Sequence, residues 1–261
     1  MTTAAMAQSD MIRLSYEYKW VFKGQERVSD YNLHTSAEKS IFYNPTTVWM
    51  DSISKSDAAC QAYGEMASVM MQNGQGANVP NRSVSMYVLK SFTDGSLRMY
   101  EDFNDEYAFY DEAFDEMVWE IGDSVKSVLG YDCTLATTDY HGRHWEAWFA
   151  TDIPLQDGPW KFHGLPGLIL SVHDSSGKHG FEATGIEKAC SPMPIMHRPD
   201  YYSREKRINF LKAKRSYEDN PLASMLENLP AGCKVLDADG NEISSEALID
   251  EDYDFLETDY R

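Results

Sequence analysis

The chain has few basic residues and no long apolar run. Among its 261 residues, 23 are Lys or Arg and 42 are Asp or Glu, so the formal net charge is −19. A general nucleic-acid-binding protein needs a basic face that displaces counterions from phosphate, and this charge excludes that class. No stretch approaches the roughly 18 consecutive apolar residues that a membrane-spanning helix requires. We therefore expect neither a nucleic-acid partner nor a transmembrane segment.

Motifs for catalysis and cofactor binding are also missing. The sequence contains no G-x-S-x-G nucleophile motif, no H-E-x-x-H pair and no catalytic-cysteine signature. No glycine-rich loop stands between a predicted strand and a predicted helix, as a nucleotide site would require. We therefore assign no catalytic residue and no cofactor, and we favour a non-catalytic protein over an enzyme.

Cysteine is scarce and is not arranged as a metal or redox motif. The four cysteines are Cys60, Cys133, Cys190 and Cys233, and no two of them have C-x-x-C spacing. A zinc finger or a thioredoxin-type site is therefore not expected. The even number fits disulfides in an oxidising compartment, or simply buried thiols, and the spacing does not choose a pairing.

The sequence is rich in β-strand signals. Aromatic residues make up 13% of the chain, and apolar residues alternate with polar ones from Ile12 to Phe22, as in a half-buried strand. Further strand-like runs follow at short spacing, including residues 47–50, and helical patterns mark residues 56–73 and 203–217. Strands and helices do not alternate, so a parallel doubly wound fold is not expected. We predict a single α+β domain, a curved, mostly antiparallel sheet shaped as a bowl or half-barrel, with one internal helix and C-terminal helices.

Glycine and proline concentrate in residues 158–170, which we predict to form a loop, a tight turn and a strand. Pro166 fixes φ and Gly167 tolerates a positive φ, so the pair fits the centre of a type II turn. We assign a structural role to five residues of this segment: Gly158, Pro159, Gly164, Pro166 and Gly167.

An ordered series of short motifs surrounds this turn. It consists of CTLATT at 133–138, GR at 142–143, AWF at 147–149, DIP at 152–154, GPWKF at 158–162 and GLPGLI at 164–169. The series resembles the GLPGLI family, exported proteins of certain Gram-negative bacteria. The resemblance implies a periplasmic or cell-envelope location and a bowl-like sheet similar in outline to lipoprotein-carrier folds. It supplies no activity and no site residue.

The two ends of the chain differ from the part between them. Residues 1–10 carry the small-x-small pattern of a signal-peptidase site at Ala5 to Ala7, without the charged and apolar regions expected before it. We interpret them as a trimmed signal or a disordered leader. Residues 11–234 form the predicted domain. Residues 235–261 hold ten Asp or Glu and one Arg, and we treat them as an acidic C-terminal tail.

The predicted bowl has a concave face, and such faces bind apolar ligands or peptides. The favoured function is therefore that of an exported envelope protein that binds a hydrophobic, peptide or lipid-like ligand, or a partner protein. The candidate ligand-binding residues are Arg143, Trp145, Trp148, Trp160, Lys161, Phe162 and Leu165. The alternative for the aromatic residues is plain core. The alternative role of Arg143 and Lys161 is to form an ion pair with Asp152 or Asp174.

Two other functions stay open. A metal-handling protein would use imidazole and thioether ligands, which suit copper. The candidate ligands are His173, His179, Met193, Met196 and His197, with the first two approaching each other across a hairpin. An interaction module would instead dock onto a larger envelope complex through its sheet edges or its acidic tail.

The predicted helix over residues 203–217 is strongly basic. Six Lys or Arg accompany a single Glu within residues 203–216. This charge fits contact with an anionic membrane surface or with the protein's own acidic tail. We prefer the tail, because that contact needs no partner.

Overall fold

The protein folds as one twelve-stranded sheet with three α-helices among the residues that the computed structural model describes. These are residues 11–22, 24–81, 86–103, 106–114, 117–188, 193–196, 199–222, 226, 230, 233–236, 240–244 and 254–260. The strands are β1 (Ile12–Phe22), β2 (Gln25–Thr35), β3 (Lys39–Tyr43), β4 (Met86–Ser91), β5 (Ser96–Phe103), β6 (Glu106–Ala113), β7 (Glu120–Val128), β8 (Tyr131–Tyr140), β9 (Arg143–Ala150), β10 (Leu168–Asp174), β11 (His179–Lys188) and β12 (Ser203–Arg204). The helices are α1 (Pro45–Ile53), α2 (Asp57–Gln72) and α3 (Arg207–Asp219).

The sheet is open, curved and mostly antiparallel, which confirms the predicted fold class. Its strand order is β12-β6-β5-β4-β3-β2-β1-β11-β10-β9-β8-β7, and β12 runs parallel to β6. The antiparallel pair of β1 and β11 joins the two halves of the sheet. Residues that are far apart in sequence, such as Tyr16 and Ala183, therefore lie side by side.

One side of the sheet, here called the inner face, carries most of the hydrophobic core. Alternate residues of each strand point to this side because side chains alternate along a strand. Tyr31 of β2 and Phe42 of β3, for example, stack with their ring centroids 4.8 Å apart. The loop between β9 and β10, helix α3 and residues 254–260 add side chains to the same core. Residues 254–260 of the predicted acidic tail therefore pack against the predicted domain.

The opposite side, here called the outer face, has a smaller apolar cluster. The cluster consists of Ile41, Tyr43, Tyr87, Tyr100 and Tyr202. Helix α1 covers part of it, and the hydroxyl of Tyr87 donates to Asp51 of this helix over 2.9 Å. Met193 and Met196 pack against another part. The sheet is thus covered in places on both sides.

The strand predicted over residues 47–50 is wrong, because these residues lie in α1. The side chain of Asn44 accepts from the amide of Thr47 over 3.0 Å, and Pro45 occupies the first turn. Both features favour a helix start, and they outweigh the β-branched and aromatic residues that follow. The predicted helix after Ser56 is confirmed as α2, so the described residues contain one internal helix more than predicted.

The basic helix begins later than predicted. Residues Ser203–Arg204 form β12 beside β6, and α3 starts at Arg207. Its buried residues Phe210 and Leu211 anchor it to the inner-face core. The helix is therefore fixed over one end of the concave side.

The structure changes the physical reason for glycine at position 167. The φ of Gly167 is not positive, so the predicted type II turn is wrong. A Cβ at this position would lie 2.3 Å from the carbonyl oxygen of Ala150 on β9. Positive φ occurs instead at Gly164, at 90°. The loop therefore needs Gly167 for close approach to β9, and not for a left-handed conformation.

The structure bears on the membrane and disulfide predictions only through the residues that it describes. No helix among the described residues is long and apolar enough to cross a membrane. Cys60 and Cys233 are exposed free thiols, and Cys133 is a buried one. Cys190 and the predicted leader, residues 1–10, lie outside the described residues.

Candidate functional site

The turn between β8 and β9 receives the last residues of the chain. His141 and Gly142 form this turn with φ values of 51° and 79°, as a two-residue hairpin turn requires. A Cβ at Gly142 would lie 2.3 Å from the hydroxyl of Thr258. Glycine therefore lets residues 254–260, here called the C-terminal segment, approach the turn. The amide of Thr258 donates to the carbonyl of His141 over 2.9 Å, and its hydroxyl donates to the carbonyl of Gly142 over 3.0 Å.

Arg143 holds the backbone of the C-terminal segment. Its Nε donates to the carbonyl oxygens of Phe255 and Leu256 at 3.0 and 3.1 Å. Its Nη1 lies 2.8 Å from Asp174 and its Nη2 lies 2.7 Å from Asp254. Of the alternatives given for Arg143, the ion pair with Asp174 is therefore present, and the one with Asp152 is not among its contacts. Every residue has a carbonyl oxygen, so the two carbonyl contacts do not depend on the side chains of the segment.

Lys161 is the cation at the centre of the site. Its side chain is 0% exposed, and its Nζ lies 2.7 Å from Glu257 of the C-terminal segment. The same ammonium contacts Glu112 of β6. It also lies over the rings of Tyr110 and Trp160, 4.8 and 5.4 Å from their centroids, where cation–π attraction adds to the ion pairs. Lys161 therefore binds a carboxylate of the segment with an ammonium whose side chain is fully buried.

A second buried lysine fixes the loop that carries Lys161. The Nζ of Lys90, on β4, lies 2.5 Å from Asp157, and both side chains are 0% exposed. It also donates to the carbonyl oxygens of Gly158 and Phe162 at 2.7 and 3.0 Å. Burial lowers the pKa of Lys90, and the charge of Asp157 opposes that shift. These contacts hold both ends of the turn that presents Lys161.

Arg207 closes the site from α3. Its Nη1 lies 2.6 Å from Glu257, its Nη2 lies 2.7 Å from Asp259, and its Nε lies 3.4 Å from Glu112. Two carboxylates of the C-terminal segment are thus bound by one guanidinium. The predicted contact between the basic helix and the acidic tail is confirmed for this residue.

The carboxylates of the site are held in their ionised form. Burial raises the pKa of Glu112, but Lys161 and His141 outweigh burial and hold that pKa at about 2. Burial also raises the pKa of Asp259, and hydrogen bonds from Arg207 and His141 bring it down to about 2. His141 lies 3.1 Å from Asp259 and 3.2 Å from Glu112. The cluster therefore keeps its negative charges at neutral pH.

Glu112, His141 and Glu257 also have the donor atoms of a metal site. One such atom from each lies within 4.8 Å of the others, and carboxylate and imidazole are common metal ligands. However, Lys161 and Arg207 contact the same carboxylates. Burial raises the pKa of Glu257 while the charge of Lys161 lowers it, with a net lowering. Two cations within the group would repel a metal ion, so we interpret it as an ion-pair cluster.

Little space is left beside the C-terminal segment. A cavity of about 120 Å³ lies there, and Tyr18, Trp160, His179 and Phe255 are among its lining residues. Sites for small molecules measure roughly 300–1,000 Å³. With the segment in place, the main occupant of this part of the concave side is the protein's own peptide.

The predicted ligand-binding residues divide between the two faces. Six are buried on the inner side: Arg143, Trp145, Trp160, Lys161, Phe162 and Leu165. Arg143 and Lys161 contact the C-terminal segment, and Trp160 lines the cavity. Trp148 points to the outer face, where the Nζ of Lys126 lies 4.7 Å from its ring. Binding of an external ligand by any of the seven stays a prediction.

The structure does not bring the predicted metal ligands together. His173 pairs with Gly180 across the hairpin, so it points to the side opposite its neighbour His179. His173 lies 3.4 Å from Glu146, whereas the buried His179 lies 2.7 Å from the hydroxyl of Tyr18. Met193 and Met196 pack against the outer cluster. His197 lies outside the described residues.

Several residues of the site are not among the predicted ones. They are Glu112, His141, Arg207, Glu257 and Asp259. The opposite charges of the basic helix and the acidic tail were a usable signal for Arg207 and its two partners. Glu112 and His141 carry no local signal, because only the folded sheet places them beside a segment more than 100 residues away.

Comparison with known proteins finds a match within this site. Residues 141–171 match a family model described as "Protein of unknown function (Porph_ging)". This stretch includes His141, Gly142, Arg143 and Lys161. No curated protein sequence matches the chain. The GLPGLI name suggested by the motifs stays a prediction.

Two solved structures of one protein share the fold at low sequence identity. PNGF-II, in space groups C2 and P21, superposes with TM-scores of 0.51 and 0.50 and 13% identity. The alignments cover 77% and 78% of this chain but 32% of the PNGF-II chain, so this chain spans about a third of that protein. An outer membrane lipoprotein-sorting protein domain from Vibrio parahaemolyticus aligns over 79% of this chain and 93% of its own, at 8% identity. Its TM-score of 0.29 is too low to carry a conclusion.

Proposed function

We propose that the protein is a non-catalytic binding protein whose concave side clamps an extended, acidic peptide segment. The observation that carries this proposal is the set of contacts from Arg143, Lys161 and Arg207 to the C-terminal segment. Residues 254–260 take the place of the ligand in the present state. A peptide from a partner protein would take the same place when the segment leaves.

The chemistry of the clamp favours a peptide over other ligands. Arg143 binds main-chain carbonyl oxygens, which any peptide offers. Lys161 and Arg207 bind side-chain carboxylates, and charge-assisted hydrogen bonds of this kind are the stronger ones. The backbone contacts supply affinity, and the two cations select acidic side chains. In peptide recognition, main-chain contacts commonly give affinity and side-chain contacts give specificity.

The way the segment is held also favours exchange. Within the described residues, the C-terminal segment belongs to no strand of the sheet. Its Thr258 amide donates to the carbonyl of His141, and the side chains of Arg143, Lys161 and Arg207 make further polar contacts with the segment. A segment bound in this way can leave without breaking a strand pair.

An exported, envelope-associated location is part of the proposal. The motif series that resembles the GLPGLI family implies that location, and most clamp residues fall within the matched stretch 141–171. The partner would then be a peptide or an envelope protein with an exposed acidic segment. Metal handling by the predicted His and Met residues is less favoured, since the described members of that set lie apart.

An exchange experiment tests the proposal. A protease site placed within residues 245–253 of the full chain would allow cleavage after folding, so that the C-terminal segment stays bound without a covalent link. A fluorescent peptide of residues 250–261 is then added, and its binding is followed by anisotropy. The matched control is the same peptide with Glu257→Gln.

We expect saturable binding of the labelled peptide and release of the original fragment. The Glu257→Gln peptide should bind about tenfold or more weakly, because it loses hydrogen bonds between charged groups worth roughly 1.5–3 kcal/mol. Equal binding of both peptides, or a cleaved fragment that the peptide cannot replace, would contradict the proposal.

A further inference from the structure

The outer face carries a groove that is separate from the peptide site. Its volume is about 660 Å³, within the roughly 300–1,000 Å³ typical of small-molecule sites. Its apolar wall consists of Ile41, Leu89, Tyr100, Met193 and Pro194. Leu89 alternates along β4 with Val88, which belongs to the inner-face core. The groove and the C-terminal segment therefore lie on opposite sides of the sheet.

The rim of this groove is positively charged in a strongly acidic chain. Arg98 and Arg204 share the carboxylate of Asp111, at 2.6 and 2.9 Å. Lys39 lines the same groove, is exposed, and has no ion pair among the described residues. Asp111 is the one carboxylate among the described lining residues. The lining cations Lys39, Lys90 and Arg98 against Asp111 leave a local charge of +2, or +1 once the ion pair of Lys90 with Asp157 is counted. The whole chain, by contrast, carries −19.

Apolar walls and a cationic rim define the chemistry of the occupant. An apolar chain that packs on Leu89 and Ile41 would be removed from contact with water, which is favourable by about 25 cal/mol per Å² of apolar surface buried. An anionic head group at the rim would meet Lys39, whose ammonium is unpaired there. Arg98 would add to the positive electrostatic potential of the rim while its guanidinium stays hydrogen-bonded to Asp111. A cationic head group would be repelled.

We propose that this groove binds an amphiphile that has an apolar chain and an anionic head group. The proposal does not depend on peptide binding at the inner face. The probes that test it are dodecanoate and dodecyltrimethylammonium, which have the same apolar chain and opposite charge. Both are titrated below their micelle concentrations into the full chain and followed by calorimetry.

Three variants assign the binding to the groove. Leu89→Trp fills it from the strand, and Val28→Trp adds the same side chain on the outer face of β2, at a 50% exposed position outside the groove. Lys39→Glu reverses the rim charge at an exposed position, so it tests the head-group contact without altering the core.

We expect saturable dodecanoate binding to the unchanged protein and to Val28→Trp. Dodecanoate should bind about tenfold or more weakly to Leu89→Trp and to Lys39→Glu. Dodecyltrimethylammonium should bind the unchanged protein about tenfold or more weakly than dodecanoate does. Absence of saturable dodecanoate binding would overturn the proposal. Equal affinity for both probes, or no effect of Lys39→Glu, would overturn the anionic assignment. Unchanged binding to a folded Leu89→Trp would overturn the location.

Discussion

Replacing Lys161 with methionine removes the central cation of the clamp and keeps much of its apolar volume. The change leaves the carboxylates of Glu112 and Glu257 without their shared ammonium, in a place where they are 12% and 3% exposed. Breaking a buried ion pair by removing one partner costs about 3–5 kcal/mol. A protein of this size changes its Tm by roughly 2–4 °C per kcal/mol, so we expect a Tm lower by about 6–20 °C.

A double variant separates the charge effect from lost packing. Glu257→Gln, added to Lys161→Met, removes the charge of one of the two carboxylates that lost the ammonium, although Arg207 still lies 2.6 Å from Glu257. Glu112 keeps its contacts with Arg207 and His141 at 3.4 and 3.2 Å. We expect the stability loss of the double variant to be smaller than the sum of the two single losses by about 1–2 kcal/mol, a coupling typical of residues in contact. Urea unfolding followed by tryptophan fluorescence measures both differences.

The pH dependence supplies a second check on the same residues. Without Lys161, the pKa values of both carboxylates should rise, because burial favours their neutral forms. The difference in unfolding free energy between the unchanged protein and Lys161→Met should therefore become smaller as the pH falls from 7 to 5. A stability loss below about 1 kcal/mol would refute Lys161 as the counter-charge of the site. A double-variant loss equal to the sum of the two single losses would refute it as well.

Two further predictions concern groups outside the clamp. Burial and the charge of Arg143 lower the pKa of His179 from 6.5 to about 4, so its contribution to stability is full above pH 6.5 and is lost as the pH falls from 6.5 to 4. His179→Asn, which keeps an acceptor for the hydroxyl of Tyr18, should flatten urea-unfolding stability across that window, and an unchanged slope would contradict the assignment. Gly167→Ala places a Cβ 2.3 Å from the carbonyl oxygen of Ala150 and should cost about 1–3 kcal/mol or more. Gly185→Ala, which meets no atom within 4 Å, is the control, and equal Tm values for the two alanine variants would argue against the close-approach explanation.

The fold was largely predictable because it follows from alternation. The period of two from Ile12 to Trp20 gives β1 one buried side and one less buried side, and the same rule applies along the other strands. Helix α1 was not predicted, although Asn44 and Pro45 form a recognisable helix start. The helix is short, and its β-branched and aromatic residues are typical of a strand. The cap, which fixes the first turn, was the better guide.

The site was much less predictable, since its parts come from distant stretches of sequence. Lys161 and Arg143 stood out as basic residues in an apolar motif block, and the structure places both against the C-terminal segment. Glu257, the partner of Lys161, is one of ten acidic residues in residues 235–261, and composition does not distinguish it from the others. The pairing depends on how α3 and the β8–β9 turn converge, which is a property of the folded sheet.

Hydrogen–deuterium exchange of the full chain tests the central claim most directly, because that claim requires the C-terminal segment to open separately from the sheet. In the unchanged protein we expect protection of the amide of Thr258, which donates to the carbonyl of His141 over 2.9 Å. In Lys161→Met we expect faster exchange in residues 254–260, while β1 and β2 keep their protection. Exchange in the segment that stays unchanged, or that rises together with exchange in the whole sheet, would contradict a separable, clamped peptide.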